Sequence, residues 1–149
     1  MLIPIQTQYH NVKLGRSKAT VPRFGCLACT LSMLSELFFC YQDVPMVASH
    51  PWYALNGDLI WQSVAFPNFR FVQRIRVRND VVVRSALANP NGGVALNCWN
   101  GKHWILALKP VQTRRGTDFL CADPLTGRTC LALATYGNIT GSALFERKI

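Results

Sequence analysis

Cys26 stands in the run Phe24-Gly25-Cys26-Leu27-Ala28-Cys29-Thr30, directly ahead of a long helical pattern. Far downstream lie Gly101-Lys102-His103-Trp104 and then Ala122-Asp123-Pro124. A thiol becomes a nucleophile once a base takes its proton, and a helix N-terminus favours the thiolate form. A cysteine opening a helix, a histidine opening an apolar strand and a late Asp-Pro together make one constellation suited to acyl transfer. Each residue also has an ordinary structural role, in core packing or in a turn. What joins them is their order, on the element types such chemistry needs. His10 and His50 compete with His103 as the base, but neither starts a strand that could face a helix end. Glu36, Asp43, Asp58 and Asp80 compete with Asp123, and each reads as a helix-surface or capping residue.

The elements that must carry these groups follow from periodicity. From Cys26 to Tyr41 the residues Leu27, Leu31, Leu34, Leu37 and Phe38 recur at helical spacing. Thr30, Ser32 and Ser35 are small, so this helix is expected to pack closely and centrally. A short helix is expected over 45–55, interrupted at Pro51, and another from Asp58 to the residue before Pro67. Phe69 to Arg78 alternates as a half-exposed strand, and a helix follows over 81–88. Val94 to Trp99 and His103 to Leu108 are two apolar runs joined by Asn100-Gly101-Lys102, a hairpin signal. Two more strands are expected over 117–122 and 129–134, around Pro124-Leu125-Thr126-Gly127. The tail carries a short apolar patch at 143–145. Helices first and an antiparallel sheet afterwards indicate an α+β fold.

The chain has 149 residues, half of them hydrophobic, which suits one domain over 1–149 with a real core. No apolar block follows a basic start, so no secretory signal is expected, and 25–41 is too short for a membrane span. Six cysteines, at 26, 29, 40, 98, 121 and 130, read as reduced thiols, four of them within apolar patterns. Cys26 and Cys29 form one close pair with no second pair, so no metal or other cofactor is expected. The net charge of +9 comes from eleven Arg and five Lys. It gathers in Lys13 to Arg23, Arg70 to Arg84, and Arg114 with Arg115. Such a surface favours an acidic partner, whether nucleic acid, a teichoic-type polymer or an acidic protein, or is simply a solvated face, and no nucleic-acid motif accompanies it.

Taken with Gln8, Gly25-Cys26-Leu27-Ala28-Cys29-Thr30, Gly101-Lys102-His103-Trp104-Ile105 and Asp123-Pro124-Leu125-Thr126-Gly127, the chain resembles the papain-like cysteine peptidases of the double-glycine-leader type. The likeness is especially to the stand-alone, phage-encoded members. The resemblance runs over nearly the whole chain. It departs at Tyr9-His10-Asn11, where relatives often carry a Trp, and at Ala28-Cys29, where many have small residues without a thiol. It implies a papain-like fold, with an N-terminal helical half and a central nucleophile helix packed on a C-terminal antiparallel sheet. It also implies Cys26 as nucleophile, His103 as base and then acid, Asp123 as the group orienting the imidazole, and Gln8 as oxyanion donor beside the Cys26 N–H. The implied substrate is a peptide or peptidoglycan. The implied setting is synthesis in the bacterial cytoplasm and incorporation in a phage virion or tail. Two alternatives stand beside it: an inactive papain-like module that binds a partner in a phage particle, and a cell-wall endopeptidase of the NlpC type.

Overall fold

The computed structural model describes residues 1–148. Its strands are β1 (Phe69–Ile75), β2 (Gly92–Cys98), β3 (His103–Thr113), β4 (Gly116–Asp123), β5 (Arg128–Leu131) and β6 (Ile139–Arg147). They form one antiparallel sheet in the order β1-β6-β2-β3-β4-β5. Its helices are α1 (Val21–Phe24), α2 (Cys26–Leu37), α3 (Val44–Ser49), α4 (Asp80–Ala88) and α5 (Ala132–Tyr136). The α+β class expected from the sequence is therefore the class observed.

Side chains alternate across the strands, so each strand feeds two cores. On one face Ala95, Leu106, Ala122, Ala143 and Phe145 pack with Leu31 and Leu34 of α2 and Val47 of α3. On the other, Val94, Leu96, Ile105, Phe119 and Cys121 pack with Val83 of α4 and Ala132 of α5. The sheet is thus covered on both sides. The expected division into a helical half and a sheet half holds for α2 and α3 and fails for α4 and α5. Val94 to Cys98 are buried without exception, as suits a strand covered on both faces.

Several local expectations are corrected by tertiary contacts. The helix expected over 45–55 ends at Ser49, because His50 is extended ahead of Pro51. The helix expected from Asp58 to Pro67 is only a 3-10 turn, Trp61–Ser63. Its lead-in is held extended instead: Leu59 bridges Tyr53, and the Ile60 N–H donates to the Trp52 carbonyl at 2.7 Å. The strand expected over 129–134 stops at Leu131. There the buried Asp118 carboxylate accepts the Leu133 and Ala134 N–H groups, at 2.8 and 3.1 Å, and starts α5. The apolar patch at 143–145 belongs to β6, which pairs with both β1 and β2. β1 ends at Ile75 and carries a bulge between Phe71 and Gln73. Because of the bulge, Phe71 lies opposite Phe145 and Arg74 opposite Ala143, which places both on the α2 face of the sheet. No helix among the described residues is long and apolar enough to cross a membrane.

Candidate active site

Cys26 is the first residue of α2, where the backbone N–H has no intrahelical acceptor. Gly25 precedes it because nothing larger fits: a Cβ there would lie 2.6 Å from the Val21 Cα. One turn on, the Thr30 hydroxyl donates to the Cys26 carbonyl at 2.9 Å. The cysteine is 8 % exposed, and the Trp104 N–H of β3 donates to its sulfur at 3.4 Å. The helix start is therefore docked on the first residues of β3, beside His103.

His103 reaches this place through the hairpin between β2 and β3. Cys98 pairs directly with His103, and Trp99, Asn100 and Gly101 all take positive φ values of 54°, 56° and 82°. Non-glycine residues in that region cost about 1–3 kcal/mol each. The turn is held by reciprocal bonds between Asn100 and Asn138, at 2.8 and 2.7 Å. The Asn97 amide, oriented so that its nitrogen faces acceptors, donates to the carbonyls of Gly101 and His103 at 3.1 and 3.0 Å.

The imidazole is 4 % exposed and stands at the end of the sheet between the two helical layers. Its Nε2 donates to Asp123 Oδ1 at 2.8 Å, which leaves Nδ1 for the Cys26 sulfur. The Tyr136 ring lies 5.1 Å from the His103 ring, and Trp99 packs edge-on at 6.5 Å. Asp123 is fully buried. It also accepts the Leu125 N–H at 2.8 Å and the Tyr136 hydroxyl, so both carboxylate oxygens are engaged.

Burial alone would lower the pKa of His103, but the hydrogen bonds to Asp123 and Cys26 and the charges of both outweigh it and lift it to about 9. Burial alone would raise that of Asp123. The donors His103, Tyr136 and Leu125 reverse the shift and hold the carboxyl below its ordinary value. The pair is therefore ionic at neutral pH. Because the folded state holds the imidazolium proton more tightly than the unfolded chain, this stabilisation is full below about pH 6.5 and is lost as pH rises through about 9. The Asp123 share is lost on the other side, as pH falls below the ordinary carboxylate range. Each pKa unit corresponds to about 1.4 kcal/mol. In thermal melts, the gap between wild type and Asp123→Asn should be widest near neutral pH and narrow steadily toward pH 10. A constant gap over that range would mean that His103 is neutral in the folded protein.

Gln8 does not join this group. It is exposed and does not line the cavity, whereas Gln6 is 5 % exposed and lines the same cavity as Cys26 and His103. The cause is a long-range tether. The Gln6 N–H donates to the Pro124 carbonyl at 2.8 Å, tying the amino-terminal segment to the Asp-Pro turn, and the 3-10 turn Gln6–Gln8 then points Gln8 outward. Gln6 Nε2 donates to the Pro22 carbonyl at 3.4 Å, and its Oε1 is buried with no protein partner among the described residues.

These residues line a cavity of about 600 Å³ walled further by Trp61, Trp99, Trp104 and Tyr53. All six cysteines are free thiols. Burial pushes Cys29 and Cys121 far up, Cys98 up to about 12 and Cys130 up to about 11. The competing histidines lie elsewhere: His10 is exposed, and His50 Nε2 bonds Gln42 Oε1 at 2.7 Å while its ring stacks on Trp52. The Arg70 to Arg84 run is not one free basic face, since Arg70 pairs with Glu146 and Arg78 with Asp80. Among the described residues no group of three or more His, Cys, Asp or Glu is placed to hold a metal ion. The chain matches no protein-family model, no curated protein and no solved structure.

Proposed function

We propose that this protein is a thiol hydrolase on a papain-like scaffold, cleaving an amide through an acyl-enzyme. The observation that carries the reading is that Cys26, held by the Trp104 N–H at 3.4 Å, and His103, bonded to Asp123 at 2.8 Å, line one cavity. The Cys26 sulfur attacks the amide carbon, and the carbonyl π electrons move to oxygen. The Cys26 N–H and the Gln6 side-chain amide donate to that oxyanion. His103 Nδ1 gives its proton to the amide nitrogen as the C–N bond breaks, and the amine leaves. Neutral His103 then takes a proton from water, whose oxygen attacks the thioester. Expulsion of the sulfur releases the acid and restores the resting state. The Trp104 N–H steadies negative charge on sulfur, and Asp123 steadies the imidazolium.

The substrate would be a peptide or peptidoglycan stem, and the setting a phage virion or tail, as the motif resemblance implies. The partner of the His103 ring is a carboxylate at an Asp-Pro turn, which favours this family over the NlpC type. Two measurements test the reading. Purified protein should release new amines from peptidoglycan or a peptide library, and the Cys26→Ala protein should not. Limited iodoacetamide at about pH 6 should label Cys26 well ahead of the other five cysteines, and His103→Ala should erase that order. Uniform labelling, or Cys29 ahead of Cys26, would leave Cys26 as a core residue and favour the inactive binding module.

A further inference from the structure

The cavity wall is strongly unbalanced in charge. Arg23, Arg74, Arg76 and Lys102 line it against a single carboxylate, Asp58, which is already engaged by Asn56 at 3.1 Å. The ion pairs among the described residues are Arg70–Glu146, Arg78–Asp80 and His103–Asp123, so none of the four cations is paired. Exposed lysines and arginines need no explanation, but Arg74 is not of that kind. It is half-buried, with its guanidinium 4.7 Å from the Trp104 ring and 5.9 Å from the Trp61 ring. Its Nη1 donates to the Ile75 carbonyl and to the Ser142 carbonyl, the latter at 3.2 Å. The bulge in β1 brings it to this face, and Gly141 leaves the space: a Cβ there would lie 2.6 Å from Arg74 Nη1. One edge of the guanidinium is thus fixed by carbonyls and one face by indole. Nε and Nη2 have no protein acceptor among the described residues. Burial, and then repulsion from Arg76, both act against its charge, and an anion would relieve both.

The position relative to the nucleophile is equally specific. The residue whose ring carries Arg74 is the residue whose backbone N–H touches the Cys26 sulfur. Arg74 and Cys26 also line the same cavity, so an anion on Arg74 would share it with the amide that Cys26 attacks. We propose that the cavity takes an acidic peptide, with a carboxylate beside the scissile amide received by Arg74 and supported by Arg76. The assignment rests on the thiol-hydrolase reading only for the place of the scissile bond. The fork of a guanidinium and the planar carboxylate match in geometry, and a cation already desolvated loses less on pairing.

The test separates the two readings. Calorimetry on the Cys26→Ala protein would compare hexaglutamate with its neutral isostere, hexaglutamine. Hexaglutamate should bind at least about tenfold tighter at low salt, in keeping with the field of a cleft lined by one sign of charge. Arg74→Gln should remove most of that preference. Arg76→Gln, at an exposed side chain without hydrogen bonds among the described residues, should reduce it with no penalty in folding, so a poorly folded Arg74 variant leaves the answer intact. Equal binding of the two peptides, or a preference unchanged in Arg76→Gln and Arg74→Gln, would overturn the proposal. A single-stranded oligonucleotide that outcompetes hexaglutamate would overturn it in favour of a nucleic acid. Alkylation of the wild-type protein reads the nucleophile independently. A reactive Cys26 with equal peptide affinities keeps the hydrolase and removes the acidic substrate. A preference for hexaglutamate with an inert Cys26 does the reverse.

Discussion

Cys26→Ala should abolish turnover, by about 10⁵–10⁶ in kcat, the scale on which loss of a covalent nucleophile is felt when the rest of the site survives. The fold should remain. The change removes one sulfur from a largely buried place and leaves the Trp104 N–H without its acceptor, a loss of about 1 kcal/mol. Alanine also favours a first helical turn. Circular dichroism and a melting temperature within a few degrees of wild type, beside absent amine release, would establish the chemical role. Cys26→Ser is the closer comparison. It keeps a polar atom in place and should be nearly as inactive, because an alcohol has no ready ionised form beside His103. Turnover that survives in either variant would place the nucleophile elsewhere.

Gln6→Ala should lower kcat by about 10²–10³ with little change in KM, since a donor aimed at the oxyanion acts mainly on the transition state. Gln8→Ala should be close to wild type. The contrast is sharp because the two glutamines are identical in type and belong to one short turn. Gln6→Ala also loses the side-chain bond to the Pro22 carbonyl, so a melting curve separates catalysis from folding. Equal activity of Gln6→Ala and wild type would remove Gln6 from the oxyanion role and leave the Cys26 N–H in it. A loss in Gln8→Ala would restore the position that the sequence pattern suggests.

That pair of glutamines marks the limit of what the sequence carries. Cys26, His103 and Asp123 are legible because each is fixed by its own neighbours: a glycine too crowded for a side chain, an Asn-Gly hairpin and an Asp-Pro turn. The choice between Gln6 and Gln8 depends on a backbone bond to Pro124, at the far end of the chain, and leaves no trace in local pattern. The same holds for Asp118, whose burial under α5 turns an apolar strand pattern into a helix. The segment 58–67 has the spacing of a helix but is claimed by Tyr53, Trp52 and the aromatic wall of the cavity. Periodicity gives α4 correctly as an element but says nothing of which face of the sheet it covers. Arg74 is a finer case. Plain alternation puts it opposite Phe71, and one bulged residue brings the two to the same side.

The walls of the cavity also give the protein an optical property. Of its four tryptophans, Trp61, Trp99 and Trp104 line the cavity, while Trp52 lies in the core stacked on His50. Emission from the first three depends on the polarity and quenching groups inside the cavity, including the guanidinium on Trp104 and the imidazole beside Trp99. Emission from Trp52 follows the protonation of its own histidine instead. Occupancy of the site and integrity of the core are therefore written into different chromophores, and a shift in intrinsic fluorescence at constant pH reads the cavity without any added dye.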